Sequence, residues 1–434
     1  MTFLEEYDAL EIDGIDPTLV ARARAELVGA WLAGKPAELF AELRAERPIF
    51  ATPALTFVTK YADVLEVLAR DEFFSVRPYA PKMERIAPTG FILGMDDTPH
   101  YQNDVSVLRL AFHRNDLPRI RDFIVQTADQ LIREVEPHGR IDLVPQLSRL
   151  VPTRLVGQYF GVPGPDEATL MRWARTIFYD LFLNLRDVAE IREPAIASAA
   201  AMRPYLNELI AARGAAMAAG TAADDDQTVL HRLLQMQCNP ATSLSNARIR
   251  DNLIGMIVGA IDTNSKAIVH IIDELLRRPD ALSTARAAAL ADDDAVLTQH
   301  IHEALRFNPQ NTGLVRFCER PYVVAKDRRR ATLIPTGALV FVATSSAMFD
   351  ASFVDEPESF RTDRSLDLAY LHFGSGLHSC AGQYMSRLLI LGVVKRLLLL
   401  PGLRRADGSA GQVQYSGPFP ESFSIEFDPV APAD

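Results

Sequence analysis

Apolar positions along this chain recur mostly at three and four residue spacing. Ile120, Phe123, Ile124, Ala128, Leu131 and Ile132 keep that period, which marks an amphipathic helix with one face on a core. The same pattern dominates residues 99–306. Between Pro240 and Pro279 lie 38 residues without proline. Leu253, Ile254, Met256, Ile257, Val258, Ile261, Ile268, Ile271, Ile272 and Leu275 cover most of the helix circumference there. Such a segment predicts an interior helix, and about 30 residues at 1.5 Å rise would span roughly 45 Å.

Shorter segments change period. Residues 48–59 read as a hairpin around Thr52-Pro53-Ala54, followed by a helix from about Tyr61. Strand signals return over 313–324, 331–341 and 412–427. Residues 220–227 read as a polar loop, and the tail after Asp428 is rich in Pro and Ala. The predicted class is mainly α with a smaller β portion.

With 434 residues, 48% apolar and 23% charged, the chain can bury a large core. A formal charge of −11 argues against nucleic acid as a general partner. The three cysteines, Cys238, Cys318 and Cys380, are odd in number and far apart, which fits a reducing compartment better than a disulfide framework. The acidic start, MTFLEEYDALEIDGID, carries no basic segment ahead of an apolar run, so a cytoplasmic protein is expected. No apolar run approaches the roughly 20 residues that cross a bilayer, so membrane insertion is not expected.

The most informative segment is Phe373-Gly374-Ser375-Gly376-Leu377-His378-Ser379-Cys380-Ala381-Gly382. Gly374 and Gly376 allow a tight loop with positive φ. That loop delivers Cys380 just ahead of the apolar helical run 388–400. Unpaired N–H groups at a helix start favour thiolate over thiol, and thiolate is the form that ligates metal. Gly382 leaves room for a flat macrocycle, Phe373 can shield the sulfur, and His378 can bond a carboxylate.

This F-G-x-G-x-H-x-C-x-G segment resembles the haem-binding signature of the cytochrome P450 family at all six fixed positions. The resemblance implies the P450 fold as one domain over 1–434, with a β-rich part at 48–60 and 314–342, a helical part at 99–306 and the ligand loop at 373–382. It implies haem b, iron protoporphyrin IX, with Cys380 as axial ligand. Glu303 and Arg306, followed by Phe307-Asn308-Pro309 and a strand with Arg316, resemble the family's E-x-x-R helix and its propionate-binding arginine. Arg364, with Pro357 and Phe360, matches the meander arginine that completes the Glu–Arg pair as structural support.

Gly259-Ala260-Ile261-Asp262-Thr263 resembles the oxygen-activation segment, whose acid and alcohol bend the helix and relay protons. Asp97-Thr98-Pro99-His100 resembles the start of the helix that gives a histidine to a propionate. Three positions depart from the family pattern. Ala260 replaces the usual second glycine, Asn264 the usual second threonine, and Asp104 stands where an arginine is usual.

The implied activity is insertion of one oxygen atom from O2 into an apolar small molecule. Phe91, Ile92, Leu93, Phe178, Phe182 and Leu314 supply candidate lining. No flavin or iron–sulfur motif is present, so a ferredoxin or flavodoxin type donor is implied, docking on Arg109, Arg114, Arg387, Lys395 and Arg396. The rival readings are a peroxide-driven peroxygenase, a haem-thiolate isomerase or dehydratase, and a non-catalytic haem-binding sensor. Asp262 and Thr263 argue for the monooxygenase.

Overall fold

The computed structural model describes residues 1–10, 16–221, 223 and 226–429. Residues 222, 224 and 225 of the expected polar loop at 220–227, and residues 430–434 of the tail, lie outside that range. The chain divides into two compact units, residues 1–78 with 311–380 and residues 79–310 with 381–434. Helices dominate, with small sheets beside them.

The first unit is built on a five-stranded sheet ordered Ile49–Ala51, Thr56–Val58, Leu339–Val342, Leu314–Cys318 and Phe74–Ser75. The expected hairpin is present, with Phe50 opposite Phe57 and the loop closed by Thr52 N–H donating to Leu55 O at 2.9 Å. Thr56–Val58 runs parallel to Leu339–Val342, and the remaining pairs are antiparallel. Side chains alternate across the sheet as the strand period requires. Phe57 and Phe341 pack with Leu39, Phe40 and Leu43, while Val58, Val340 and Val342 enter a second apolar cluster with Cys318.

The second unit is a helical body. Leu117–Val135 packs along Gln383–Leu399, and Ile120, Ile124, Ala128, Leu131 and Ile132 are buried as their spacing predicts. A Cβ on Gly392 would lie 3.0 Å from Ile124 Cγ2, so glycine permits this close helix contact. The final strands form a hairpin, Gln414–Ser416 with Phe419–Ser422, and a sheet joining Arg140–Asp142, Ser424–Glu426 and Arg404–Arg405.

The long interior helix differs from the sequence expectation. It is two helices, Asn246–Ala260 and Asp262–Leu276, broken at Ile261 with φ −86° and ψ −71°. Thr263 Oγ1 donates to Gly259 O, and Asn264 Nδ2 donates to Ala260 O at 2.7 Å. Both side chains compete for carbonyls that helical N–H groups would otherwise use, and bonding of this kind bends helices. The ladder resumes with Ser265 N–H to Ile261 O at 3.1 Å. Apolar periodicity alone did not register this polar interruption. Among the described residues, no helix is long and apolar enough to cross a membrane.

Candidate functional site

In the first unit the Cys380 loop is closed by its own backbone. Cys380 N–H donates to Phe373 O at 2.8 Å, Ser379 N–H to Gly376 O at 3.1 Å, and Gly374 N–H to Leu371 O at 3.0 Å. Gly374 and Gly376 have φ of 70° and 74°, the left-handed region that glycine enters without strain. At Gly376 a Cβ would fall 2.1 Å from Leu68 O, so a side chain there would force the loop off its support. A Cβ at Gly374 would stand in ordinary van der Waals contact with Leu314 Cδ1 at 3.7 Å and His378 O at 3.9 Å, so this position is not crowded as Gly376 is. The thiol of Cys380 is half-buried. In sequence, Gln383–Leu399 starts three residues beyond it, with Gly382 as N-cap.

Arg316 sits within Leu314–Cys318, opposite Val340, and is 5% exposed. Its Nη1 donates to Val315 O at 3.0 Å. Arg364 gathers the meander around itself, donating to the carbonyls of Asp355, of Glu356 at 2.8 Å and of Ser359 at 3.1 Å. This fork of donors gives an otherwise irregular segment a fixed shape. A thiolate-ligated haem needs a cysteine sulfur, room for a flat ring and cations for its propionates. The donor set of this unit fits those needs through the half-buried Cys380 sulfur, the uncrowded Gly374 and the buried Arg316.

In the second unit Asp262 opens the helix that follows the break and is 3% exposed. Arg175 donates to its Oδ1 from Nε at 3.1 Å and Nη2 at 3.0 Å, with Arg149 Nε 3.7 Å from the same oxygen. Glu421 engages both arginines from the terminal hairpin. Oδ2 of Asp262 is buried and has no hydrogen-bond partner among the described residues. Burial raises the Asp262 carboxyl above the usual carboxylate range, while Arg175 and Arg149 pull the other way.

Asp104 is fully buried on the helix Pro99–Ala111. Its Oδ1 accepts from Arg248 Nη2, and its Oδ2 accepts from Asn252 Nδ2 at 2.8 Å. His100, one turn earlier and half-exposed, has Nε2 3.6 Å from Oδ2. Asp104 thus receives a guanidinium from the helix Asn246–Ala260, which explains how a carboxylate is tolerated at this buried position. Glu303 and Arg306 are wholly buried and joined at two points, Nε to Oε2 at 3.0 Å and Nη2 to Oε1 at 2.6 Å.

Sequence reasoning missed Arg149, Arg175 and Glu421 around Asp262, and Arg248 and Asn252 around Asp104. One signal was available. Arg248 and Asn252 lie four apart in a largely apolar helix, so they share a face and need a buried partner. The suggested basic patch is altered by the geometry. Lys395 is buried and held by Asp292 and Asp294, Arg396 pairs with Asp129 at 3.1 Å, and Arg114 lies on the Tyr384 ring. Two of the five cations are therefore already neutralised. His270 is buried beside Asn308 O at 3.2 Å and Tyr415 Oη at 3.0 Å. Burial pushes its imidazole down to about 3, so it stays neutral.

Residues 49–399 match the sequence pattern of the family described as Cytochrome P450. A steroid C26-monooxygenase of Mycolicibacterium smegmatis is 26% identical, with 92% of this chain and 94% of that protein covered. Nocardicin C N-oxygenase of Nocardia uniformis subsp. tsuyamanensis is 28% identical over 85% of this chain and 88% of its own length. A vitamin D(3) 25-hydroxylase of Pseudonocardia autotrophica is 24% identical over 81% of this chain and 83% of its own. Among solved structures, CalO2 aligns with a TM-score of 0.79 at 23% identity, covering 96% of this chain and all 100% of that one.

Proposed function

As a member of the cytochrome P450 family, this chain is a haem-thiolate monooxygenase, and we propose that it oxygenates an apolar organic substrate with electrons from a ferredoxin or flavodoxin type donor. In this reading the chain works as one functional domain in the cytoplasm with haem b as cofactor. Cys380 ligates the iron, with Phe373, Gly374, Gly376, His378 and Gly382 around the macrocycle and His100 and Arg316 toward its propionates. Glu303, Arg306 and Arg364 act as scaffold. Bound through the thiolate, haem supplies the reductive activation of O2 that places one oxygen atom in a C–H bond and releases the other as water.

That balance consumes two electrons and two protons, and the chain must deliver the protons to a site that excludes bulk water. Asp262 is suited to this because burial favours its neutral, proton-bearing form and its Oδ2 is not committed to a partner among the described residues. Thr263, the next residue, holds its hydroxyl on Gly259 O, so the alcohol has a fixed orientation at the helix break. Arg175 and Arg149 keep the Asp262 side chain in one pose through Oδ1.

An apolar substrate is supported by the side chains before and around that break. Phe91 lies so close to Gly255 that a Cβ there would be 2.3 Å from the ring, and a Cβ on Gly259 would lie 3.9 Å from Leu93 Cδ1. Phe182 contacts Tyr79 at 5.5 Å and Phe178 at 5.1 Å between ring centres. The relatives named for steroid and vitamin D(3) oxidation support the same substrate class.

The observation that carries the assignment is the Cys380 loop, whose two left-handed glycines and backbone closure leave the thiol as its soft donor. The test is the spectrum of the reduced carbon monoxide adduct in wild type and Cys380→Ser. A thiolate signature in wild type that is lost in the serine variant is expected. A signature that survives the substitution overturns Cys380 as ligand. Ferric wild type titrated with steroids, terpenoids and fatty acids should move toward high spin with one class.

A further inference from the structure

The first unit carries a small two-stranded hairpin that the oxygenation reading does not use. Tyr322–Val324 pairs antiparallel with Thr332–Ile334, and Val323 lies directly opposite Leu333. Direct partners in an antiparallel ladder point to the same side. Val324 and Ile334 are fully buried on the inner face, so Val323 and Leu333 form the outer face, 38% and 59% exposed.

The turn above this apolar pair reads Lys326-Asp327-Arg328-Arg329-Arg330. It is held in a defined shape, with Ala325 and Asp327 at φ of 57° and 67° and Arg328 N–H donating to Ala325 O at 3.1 Å. The base of the hairpin is tied to the helix Tyr61–Leu68 by two acids. Asp63 takes Arg330 at 2.6 and 2.8 Å, and Glu66 accepts from Tyr322 Oη at 3.0 Å and Ala325 N–H at 3.1 Å. Lys326, Arg328 and Arg329 are exposed and make no ion pair among the described residues. The charges that can be neutralised locally have been, and three cations are left presented to the outside.

We propose that this hairpin is a peripheral docking element for an anionic lipid surface, with Lys326, Arg328 and Arg329 on the headgroups and Val323 and Leu333 at the acyl boundary. Charge complementarity selects the occupant. The chain as a whole carries −11 and is repelled by an anionic bilayer, but beyond about 8–10 Å that repulsion is screened at physiological salt. What touches the surface is then the local charge of the turn, where Lys326, Arg328 and Arg329 outweigh the exposed Asp327 that lies among them. An acidic protein would satisfy the cations as well. It would not need the exposed aliphatic pair, and apolar residues beside lysine and arginine form the pattern of interfacial membrane contact. The hairpin is already ordered, so binding loses little conformational freedom.

The test is sedimentation of the full-length, haem-loaded protein with vesicles of equal parts phosphatidylcholine and phosphatidylglycerol, against vesicles of phosphatidylcholine alone. Binding to the mixed vesicles, weakened by added salt and almost absent on the neutral ones, is expected. The combined K326E, R328E and R329E variant should lose at least roughly a hundredfold in partition, since removing three cations at about a factor of five each already gives that loss and the new carboxylates add repulsion. Leu333→Ser should weaken partition several-fold while leaving salt dependence in place. Haem content and substrate-free spectrum should stay unchanged in both variants, since none of these residues belongs to the proposed site. Failure of wild type to bind the mixed vesicles overturns the proposal, as does equal partition of the charge-reversed variant. Wild-type binding to polyglutamate but not to vesicles also overturns it, in favour of an acidic protein partner.

Discussion

Two aspartates of the second unit, Asp104 and Asp262, are both buried and both met by arginine, yet their environments differ in one respect. Asp104 uses both oxygens, Oδ1 on Arg248 and Oδ2 on Asn252. Asp262 places Arg175 and Arg149 on Oδ1 and leaves Oδ2 buried without a partner among the described residues. A carboxylate satisfied at both oxygens holds two helices together and has nothing left to exchange. One that keeps a buried oxygen open carries an unmet cost that protonation relieves. The difference separates an anchor from a group able to hold and release a proton.

Removing the anchor should have the largest effect on the fold. Asp104→Ala leaves the Arg248 guanidinium and the Asn252 amide without their acceptor, and breaking a buried pair from one side costs about 3–5 kcal/mol. Arg248 keeps 24% of its side chain exposed, so the lower end of that range is expected in denaturant unfolding. Arg248→Ala should cost a similar amount, and the double variant clearly less than the sum. A loss within about 0.5 kcal/mol for Asp104→Ala, the range of ordinary surface changes, would break the comparison.

Asp262→Asn should invert that pattern. The amide keeps the shape and can still meet Arg175 through its oxygen, but it cannot carry the proton. Turnover of substrate should fall about a hundredfold, the lower end for loss of a general acid, with haem content retained. The pH dependence of stability sharpens the point. Burial raises the Asp262 carboxyl in the folded state, so the native protein binds this proton more readily than the unfolded chain. Its contribution therefore favours folding at acid pH and is lost as pH rises from the ordinary carboxylate range through the raised folded value. Unfolding free energies measured across that window should show this downward slope in wild type and not in Asp262→Asn. Equal slopes in the two proteins would assign the proton elsewhere.

How much of this was legible in the sequence follows from the range of the interactions involved. The Cys380 loop was readable because its constraints are local, namely glycines that adopt positive φ and backbone closure within eight residues from Phe373 to Cys380. The helices were readable where one face alone is apolar, as at Ile120 to Ile132. Apolar periodicity did not show the break at Ile261, since ten apolar residues through that segment outweigh Thr263 and Asn264, and a bend there was readable only through the resemblance of Gly259 to Thr263 to the oxygen-activation segment. The partners of Asp104 and Asp262 were hidden for another reason. Arg248 is 144 residues from Asp104, and Arg175 is 87 residues from Asp262, and no periodicity within one element encodes such pairs. Asp104 itself read as a missing cation, whereas the structure supplies one from another helix.

The smallest effect is expected at Thr263, and it tests whether the open oxygen of Asp262 depends on the shape of the helix break. The Thr263 hydroxyl donates to Gly259 O, while Asn264 independently holds Ala260 O at 2.7 Å. Thr263→Val keeps the branched shape and deletes one of these two bonds. A net hydrogen bond contributes about 1 kcal/mol, so a stability loss near that value is expected, with the break preserved by Asn264. Thr263→Ser should restore the bond and most of the loss. If proton transfer runs from Asp262 through this hydroxyl, Thr263→Val should consume reductant at nearly the wild-type rate while yielding less product per electron pair, and Thr263→Ser should recover that yield. If Thr263→Val keeps the full product yield, the hydroxyl serves only to bend the helix, and proton delivery from Asp262 bypasses it.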